Sequence, residues 1–383
     1  MLADAIHKAG GISDANADDL SKISWARAAR TDKGVSAACN VVSLKMVLEP
    51  PGIIERINQH LPDDIEAFGY VRVTNKFDAR KLCDRRRYGY VLPLWALDTS
   101  LDRVKVAPGE KVEELVSRFG AILRKYEGTH NFHSFTKNLE YHKPQAKRYI
   151  LKWDVNTFEL NGHTFVKCEV LGQSFLYHQI RKMVGLAVAI SRGVAPENCL
   201  MTALKSRMKF NVPVAPEFPL YLEECIFNSY NKKWEKDHDV LSRNNYLEKI
   251  NNFKRNKIDS NIIASEDFHE GILVWIRGTT NDLHHFSEWE EQAKQEKMES
   301  RGRKKYKSPE KREREGDEEE GGSDRAVRPK LEEIETTTPA APAADLVALV
   351  PRQVVEAEKG KKVDSDAKPE PNTGDQKGKE VKE

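Results

Sequence analysis

Aromatic residues stop near residue 290, and this limits how much of the chain can build a packed core. From Glu290 onward there is no Trp or Phe and a single tyrosine, Tyr306. Lys, Glu, Asp, Pro, Gly and Ala dominate instead. Such a composition buries too little apolar surface to offset the entropy lost on ordering, so residues 291–383 are predicted to be a disordered charged tail. Residues 1–290 are long enough for a sizeable core.

Within residues 1–290, helical and strand patterns alternate. Apolar side chains recur at helical spacing over residues 111–126, and residues 176–190 are apolar on most faces, as in a buried helix. Residues 164–171 alternate apolar and charged side chains, which is typical of an antiparallel strand with one solvated face. Further strands are predicted over residues 39–47, 65–73, 86–92, 148–157 and 220–227. Because hairpins and helices both join these strands, we expect an α+β fold with a largely antiparallel sheet.

Charge and cysteine content limit the kinds of partner and the compartment that we expect for this protein. Residues 1–290 carry 41 Lys and Arg against 37 Asp and Glu, so a nucleic-acid surface has to come from clustering rather than total charge. No stretch approaches the ~18 continuous apolar residues of a membrane helix, and no signal-peptide pattern follows Met1, so we expect no membrane partner. The cysteines form no Cys-x-x-Cys pair and are expected to be reduced, mostly buried thiols of an intracellular protein: Cys39, Cys83, Cys168, Cys199 and Cys225.

A short polar stretch from Arg27 to Ala37 carries the strongest chemical signal. Asp32 lies in a Thr-Asp-Lys-Gly sequence with turn chemistry, because Asp tolerates tight backbone geometry and Gly accepts a positive φ. A carboxylate held beside two arginines and a lysine suits a nucleophile or base that works next to a polyanion. Spacing alone favours the alternative, a hairpin turn whose charged side chains face water.

The complete stretch, Arg-x-x-Arg-Thr-Asp-Lys-Gly-Val-Ser-Ala, resembles the active-site motif of the TruA family of tRNA pseudouridine synthases, in particular its eukaryotic branch. Four further groups of segments follow in the family's order. They are Arg-Tyr-Gly-Tyr at 87–90, Tyr-Glu-Gly-Thr-His-Asn-Phe-His-Ser-Phe-Thr at 126–136, Gly-Gln-Ser-Phe at 172–175 with His-Gln-Ile-Arg-Lys-Met-Val-Gly at 178–185, and Val-Pro-Val-Ala-Pro at 212–216.

This resemblance implies both a fold and an activity. The fold is two halves, each a sheet with helices, joined into one continuous, mostly antiparallel sheet around an RNA-binding cleft. We place an N-terminal catalytic half at residues 1–105 and a C-terminal half at residues 106–290. The implied reaction isomerises uridine to pseudouridine in tRNA: the N1 glycosidic bond breaks, the base turns, and C5 joins C1′. The resemblance implies neither a redox cofactor nor a metal.

Three residues match the family's catalytic positions. Asp32 is the implied catalytic carboxylate, and covalent attack on the nucleotide and removal of a sugar proton both stay open as its role. Arg181 lies in an otherwise apolar helix, where a charge is costly unless paired; the resemblance supplies Asp32 as the partner, and a helix-surface arginine is the alternative. Tyr88 is implied to stack on the extruded target base, whereas Tyr90 is expected in the core.

Basic residues around these positions are predicted to contact RNA. Arg27, Arg30 and Lys33 flank Asp32 and are candidates for phosphate binding, and Arg87 and His178 are further candidates. Solvated surface arginines and a structural histidine are the alternatives. Weaker candidates for backbone contacts are Arg85, Arg86, Lys147 and Arg148. The expected partner is tRNA, with other RNAs left open.

The chain also departs from the family. Members usually begin with a strand carrying Tyr-x-Gly-x-x-Tyr-x-Gly-x-Gln, which has no match here, and a missing strand would expose a sheet edge. We expect a truncated sequence; an unstable or inactive copy is the alternative. Smaller departures are Ala29 and Pro219, where the family commonly has glycine. A non-catalytic RNA-binding protein or chaperone is therefore the second hypothesis, and a scaffold acting through the charged tail is the third.

One basic run in the tail bears on localisation. Residues 301–307, Arg-Gly-Arg-Lys-Lys-Tyr-Lys, resemble a nuclear-targeting patch. They predict a nuclear protein, with a mitochondrial pool left open. A solubilising charge run is the alternative.

Overall fold

The strands predicted over residues 39–47, 65–73, 86–92, 148–157, 164–171 and 220–227 and the helices predicted over residues 111–126 and 176–190 are present, together with strands and helices that the sequence patterns do not predict. The structure is a computed structural model, and it describes residues 1–101, 109–160, 162–263, 266–280, 286, 288–289, 291–296, 298–299 and 345–349. The strands in this part are β1 (Ala26–Arg27), β2 (Ser36–Ala37), β3 (Val42–Met46), β4 (Tyr70–Arg72), β5 (Arg85–Pro93), β6 (Gly128–Asn131), β7 (Lys147–Leu160), β8 (His163–Gly172), β9 (Leu220–Ile226) and β10 (Asp345–Leu349). The helices are α1 (Leu2–Lys8), α2 (Asp14–Ala17), α3 (Ile53–Asn58), α4 (Glu110–Arg124), α5 (Gln179–Ser191), α6 (Asn198–Lys205), α7 (Asn228–Trp234), α8 (Leu247–Phe253), α9 (Ser260–Ile263) and α10 (Glu266–Thr280).

The larger sheet has six strands in the order β2-β9-β5-β8-β7-β6. All neighbours are antiparallel except β2 and β9, which pair in parallel. The alternation predicted for β8 is confirmed, because Val166, Cys168 and Val170 are buried. Pairing of β5 with both β8 and β9 places the segment around Tyr88 in the middle of this sheet.

The smaller sheet has four strands in the order β1-β3-β10-β4. Its strand β10 comes from the region predicted to be a disordered tail and pairs antiparallel with β3 on one side and β4 on the other. Residues 291–296 and 298–299 of the same region are helical, Ala293 among them is buried, and Glu296 accepts a hydrogen bond from the Arg207 N–H (3.1 Å). The remaining residues of the predicted tail lie outside the described residues. The strands thus form two hydrogen-bonded sheets where the resemblance implied one, since β3 already has a neighbour on each side and cannot also pair with β2.

Helix α4 covers one face of the larger sheet. Its apolar stripe recurs every three or four residues, and Leu115, Phe119, Ile122 and Leu123 are buried as that spacing predicts. Helix α4 packs on β7 and on α5, which is itself buried along most of its length. A second apolar cluster lies under α1, α3 and β3. The predicted α+β class is confirmed by this mixture of antiparallel sheet and covering helices.

Three further observations bear on the predicted organisation. The proposed boundary between residues 105 and 106 lies outside the described residues. The five cysteines are buried, as predicted. Within the part of the chain that the structure describes, no helix combines the length and apolar character needed to cross a membrane.

Candidate active site

The polar stretch around Asp32 folds as a loop that joins β1 to β2. At its start, the Ala28 N–H donates to the Val41 carbonyl (2.8 Å), and the side-chain amide of Asn40 donates to the Ala29 carbonyl (3.1 Å). The turn itself closes through a hydrogen bond from the Val35 N–H to the Asp32 carbonyl (3.0 Å). At the other end, β2 pairs with β9, so both ends of the loop are fixed and Asp32 is held at a defined place.

Arg86 holds the same loop from the side of β5. Its guanidinium donates to the Ala28 carbonyl through Nε (3.0 Å) and Nη2 (2.7 Å) and to the Gln173 carbonyl through Nη1 (3.0 Å). The sequence made Arg86 only a weak candidate for RNA contact. The structure gives it a supporting role, since a planar guanidinium can bond two chain segments at once.

Asp32 lines a cavity of about 510 Å3. This volume is within the range of roughly 300–1,000 Å3 that small-ligand sites occupy. The walls come from the loop, from β5 and from the segment that leads into α5: Arg30, Thr31, Asp32, Lys33, Val35, Tyr88, Phe175, Leu176, Tyr177, His178, Gln179, Ile180, Arg181 and Leu220. A larger cavity of about 980 Å3 beside His133 is lined by none of the predicted catalytic residues. The cavity at Asp32 is the one that collects them.

Among the described residues, the imidazole of His178 lies beside the Asp32 carboxylate. Its Nε2 lies 3.7 Å from Oδ2 of Asp32, which is too long for a hydrogen bond, and 3.4 Å from Nη1 of Arg181. A guanidinium can only donate, so Nε2 accepts and the proton belongs on Nδ1. Burial and the charge of Arg181 lower the pKa of His178, so the imidazole is neutral at pH 7.

Arg181 is held by groups other than the predicted one. Its Nε donates to the Ala215 carbonyl (2.6 Å), and its Nη2 donates to Oε2 of Glu217 (2.7 Å). The ion pair that Arg181 forms is thus with Glu217 and not with Asp32. The physical reason is the path of the segment after α6, which places the Glu217 side chain against Gly34, with Cγ 2.7 Å from where a Cβ on that glycine would lie.

Tyr88 lines the cavity from β5 and is 7% exposed. Its ring meets Phe175 edge-on, with centroids 5.3 Å apart. Burial raises the pKa of the Tyr88 hydroxyl, so the phenol keeps its proton at neutral pH. Tyr90 is buried in the core, as predicted, and its hydroxyl donates to the Pro216 carbonyl (2.9 Å).

The basic candidates divide into three groups. Arg30 and Lys33 are exposed and line the cavity. Arg27 is exposed in an adjoining cavity of about 470 Å3, which Arg30 also lines. Arg87 lines neither: it lies opposite Glu224 in the β5–β9 register, and its Nε is 3.2 Å from that carboxylate. Arg87 therefore belongs to an ion pair inside the sheet.

Sequence reasoning missed three supporting residues: Asn40, Arg86 as a clasp on the loop, and Glu217. Asn40 lies inside a predicted strand, where nothing marks it as a partner of Ala29. Glu217 directly follows the Val-Pro-Val-Ala-Pro segment, which is the one signal that could have drawn attention to it. In the described part of the chain, no group of three or more His, Cys, Asp or Glu is arranged to hold a metal ion.

Comparison with known proteins identifies the family. A family model described as tRNA pseudouridine synthase matches residues 122–228, which include His178, Arg181 and Glu217. The chain is 39% identical over 289 residues to a protein named pseudouridylate synthase 1 homolog from Mus musculus, covering 75% of this chain and 67% of the relative. The Homo sapiens homolog gives the same identity and coverage. A protein named tRNA pseudouridine synthase 1 from Yarrowia lipolytica is 30% identical over 345 residues, covering 68% and 65%. The chain belongs to the TruA-type tRNA pseudouridine synthase family.

Proposed function

We propose that this chain converts uridine to pseudouridine in tRNA and that Asp32 is the catalytic carboxylate. One observation carries the proposal: Asp32, Tyr88 and Arg181 line a single cavity, in a chain that belongs to this family. The loop that presents Asp32 is fixed at both ends, which is the preorganisation that catalysis requires. Other RNAs remain candidate substrates beside tRNA.

The reaction conserves every atom of the nucleotide except one exchanged proton. The N1–C1′ bond breaks, the C5–C1′ bond forms, the proton on C5 passes to solvent, and N1 takes up a proton. Asp32 serves this chemistry by one of two routes: its carboxylate bonds covalently to the nucleotide and is later released, or it takes a proton from the sugar and returns it. Both routes need a carboxylate that is free to react.

The groups around Asp32 suit either route. His178 is neutral at pH 7 because burial and Arg181 lower its pKa, so it does not neutralise the carboxylate. Arg181, whose side chain is 12% exposed, supplies a cation at the cavity wall while Glu217 holds it. Tyr88 offers an aromatic ring and a protonated hydroxyl to an extruded base, whose lost stacking an aromatic contact compensates.

Exposed basic residues suit the phosphate chain on either side of the target nucleotide. Arg30 and Lys33 lie at the cavity that contains Asp32, and Arg27 lies in the adjoining one. Phosphate contacts orient a nucleic acid without reading its sequence. They also release counterions, so tRNA binding is expected to weaken as salt rises.

The test compares turnover and binding in one pair of variants. Unmodified tRNA labelled with tritium at C5 of uridine releases the label when C5 joins C1′. We expect release by the wild type and by Asp63→Asn, whose side chain is exposed away from the cavity. We expect none by Asp32→Asn, which should bind tRNA as the wild type does. Binding without release by the wild type would favour the non-catalytic RNA-binding alternative.

We also propose a nuclear location, on the basis of the basic run at residues 301–307, which lies outside the described residues. A fluorescent fusion of the full chain should accumulate in the nucleus. Replacing the basic residues of this run by glutamine should abolish that accumulation, whereas an unchanged distribution would mean that the run is only a solubilising segment.

A further inference from the structure

Tyr177 is an exposed aromatic residue at the catalytic cavity to which neither the resemblance nor the proposed chemistry gives a role. It is 53% exposed and lines the same cavity as Asp32 and Tyr88. Scattered exposed apolar residues are common on proteins and need no explanation. Tyr177 differs because of three features of its surroundings: how its ring is held, which charge lies beside it, and what lies beneath it.

The ring of Tyr177 is held in place before any ligand binds. It stacks on the imidazole of His178, with centroids 3.7 Å apart and planes 24° from parallel. The Tyr177 carbonyl accepts a hydrogen bond from Oγ1 of the buried Thr136 (2.9 Å), and the neighbouring Leu176 N–H donates to the buried side chain of Gln179 (2.8 Å). An aromatic ring that is already ordered loses little entropy when a ligand stacks on it.

A cation lies beside this ring. The Lys137 ammonium is 5.9 Å from the ring centroid, and Lys137 is exposed. A flat aromatic face next to a lysine matches a ligand that has both an aromatic base and a phosphate. Proteins that bind single-stranded RNA combine these two elements, with bases stacking on aromatic rings and basic side chains following the backbone.

The layers beneath Tyr177 give its position relative to the reacting nucleotide. Tyr177 lies on His178, and Nε2 of His178 lies 3.7 Å from the Asp32 carboxylate. Tyr88, by contrast, is buried deeper, against Phe175. A uridine bound at Asp32 would therefore lie on the inner side of this stack, with Tyr177 towards the part of the RNA strand that stays outside the cavity.

We propose that Tyr177 stacks on the base of the nucleotide adjacent to the target uridine and that Lys137 pairs with the phosphate of that nucleotide. The proposal rests on the proposed function, because it needs a target nucleotide extruded into the cavity. Extrusion unstacks the neighbouring base on that side, and a protein ring can take the place of the lost partner. Stacking of this kind tolerates every base, so it binds without selecting a sequence.

The test measures tRNA affinity together with the separate kinetic constants of the full chain. Loss of one base–aromatic stack weakens binding roughly 5- to 150-fold. We expect Tyr177→Leu to raise Kd and KM by a factor in this range and to leave kcat nearly unchanged, whereas Tyr177→Phe should match the wild type. The control is Tyr149→Leu, because Tyr149 is 48% exposed but does not line the cavity; it should bind normally.

A modified substrate tests the identity of the stacked base. In tRNA with an abasic nucleotide on the 5′ or the 3′ side of the target, one of the two sites should weaken wild-type binding as much as Tyr177→Leu does. Tyr177→Leu should then lose nothing more on that substrate. Wild-type affinity in Tyr177→Leu, or a loss in kcat alone, would overturn the inference while leaving the proposed function intact. Absence of tritium release by the wild type would instead contradict the proposed function, and the affinity comparison would still decide the role of Tyr177.

Discussion

At the scale of single residues, the guanidinium of Arg181 organises the charges around Asp32. Its contacts to the Ala215 carbonyl, Glu217 and His178 point in three directions and leave it 12% exposed. A planar cation whose five donors are spread over three nitrogens can reach all three partners, whereas the donors of an ammonium all lie on one nitrogen. The positive charge of Arg181 thus stays at the cavity wall. It forms no direct ion pair with the Asp32 carboxylate.

Arg181→Lys tests this arrangement. Lysine keeps the charge but cannot reach the carbonyl, the imidazole and the carboxylate together, so we expect kcat to fall by roughly 100-fold, as when a preorganised donor is removed. Affinity for tRNA should change little. Glu217→Gln keeps an acceptor oxygen at the same position and is expected to retain more activity than Arg181→Lys. Wild-type kcat in Arg181→Lys would contradict the role given to the guanidinium.

Lys182, the next residue, is a buried amine with a cost to stability. It is 6% exposed, and its Nζ donates to the Ser134 carbonyl (3.1 Å). Burial, followed by the charges of Lys209 and Lys137, lowers its pKa to about 8 from 10.5. Between these two values the unfolded chain holds a proton that the folded chain has lost, so the contribution of Lys182 to stability rises with pH across this window.

Lys182→Met removes the charge and keeps a flexible side chain. Below pH 8 the wild type carries the full penalty, so the variant should melt at a higher temperature than the wild type. That advantage should shrink from pH 8 to 10.5, as the wild-type amine loses its proton in the folded state and the Ser134 carbonyl of the variant still lacks a donor. Thermal melting of the wild type and Lys182→Met, measured side by side across this pH range, gives the difference in melting temperature. A difference that does not change with pH would show that Lys182 is not the titrating group.

At the scale of elements, a close approach between α5 and the chain after α6 positions Arg181. Gly185 faces the backbone there: a Cβ at this position would lie 2.4 Å from the Pro213 carbonyl oxygen and 3.3 Å from the Ala215 N. The same segment supplies the carbonyl that accepts from Nε of Arg181. The glycine is needed for the close approach, not for an unusual backbone angle.

Gly185→Ala is therefore expected to destabilise the protein although alanine is the better helix former. Overpacking against backbone costs roughly 1–3 kcal/mol and outweighs a propensity gain of about 1 kcal/mol. The activity of the folded variant should fall as well, because Arg181 moves with the helix. The matched control is Gly120→Ala in α4, where the nearest atom is the flexible end of Arg124 at 3.1 Å. Chemical denaturation should show a lower free energy of unfolding than the wild type for Gly185→Ala and a higher one for Gly120→Ala. A change in the same direction for both variants would contradict the account of Gly185.

Local sequence patterns predict individual helices and strands but not which distant elements they contact. The periodicity of residues 111–126 and 164–171 predicts α4 and β8 because each pattern is local. Strand β10 is five residues long and pairs with β3 and β4, about 300 residues away in sequence, so no local pattern reveals its partners. The Arg181–Glu217 pair escaped prediction for the same reason, because it depends on how two distant segments pack.

At the scale of the whole molecule, the loop that carries Asp32 connects the two sheets. Strand β1 ends the four-stranded sheet, β2 begins the six-stranded one, and Asp32 lies between them. Motifs from distant parts of the chain predicted the cavity residues Asp32, Tyr88, His178 and Arg181, and the structure brings these four together. It does not bring Arg87 there, because the register of β5 on β9 places Arg87 opposite Glu224. That register could not be derived from the sequence.

The most direct test of the central claim is the nucleoside composition of tRNA after reaction. Unmodified tRNA is incubated with the wild type, Asp32→Asn or Asp63→Asn, digested to nucleosides and separated by chromatography. We predict one pseudouridine gained for each uridine lost with the wild type and Asp63→Asn, and none with Asp32→Asn. Pseudouridine formed by Asp32→Asn, or none formed by a wild type that binds the tRNA, would contradict the account.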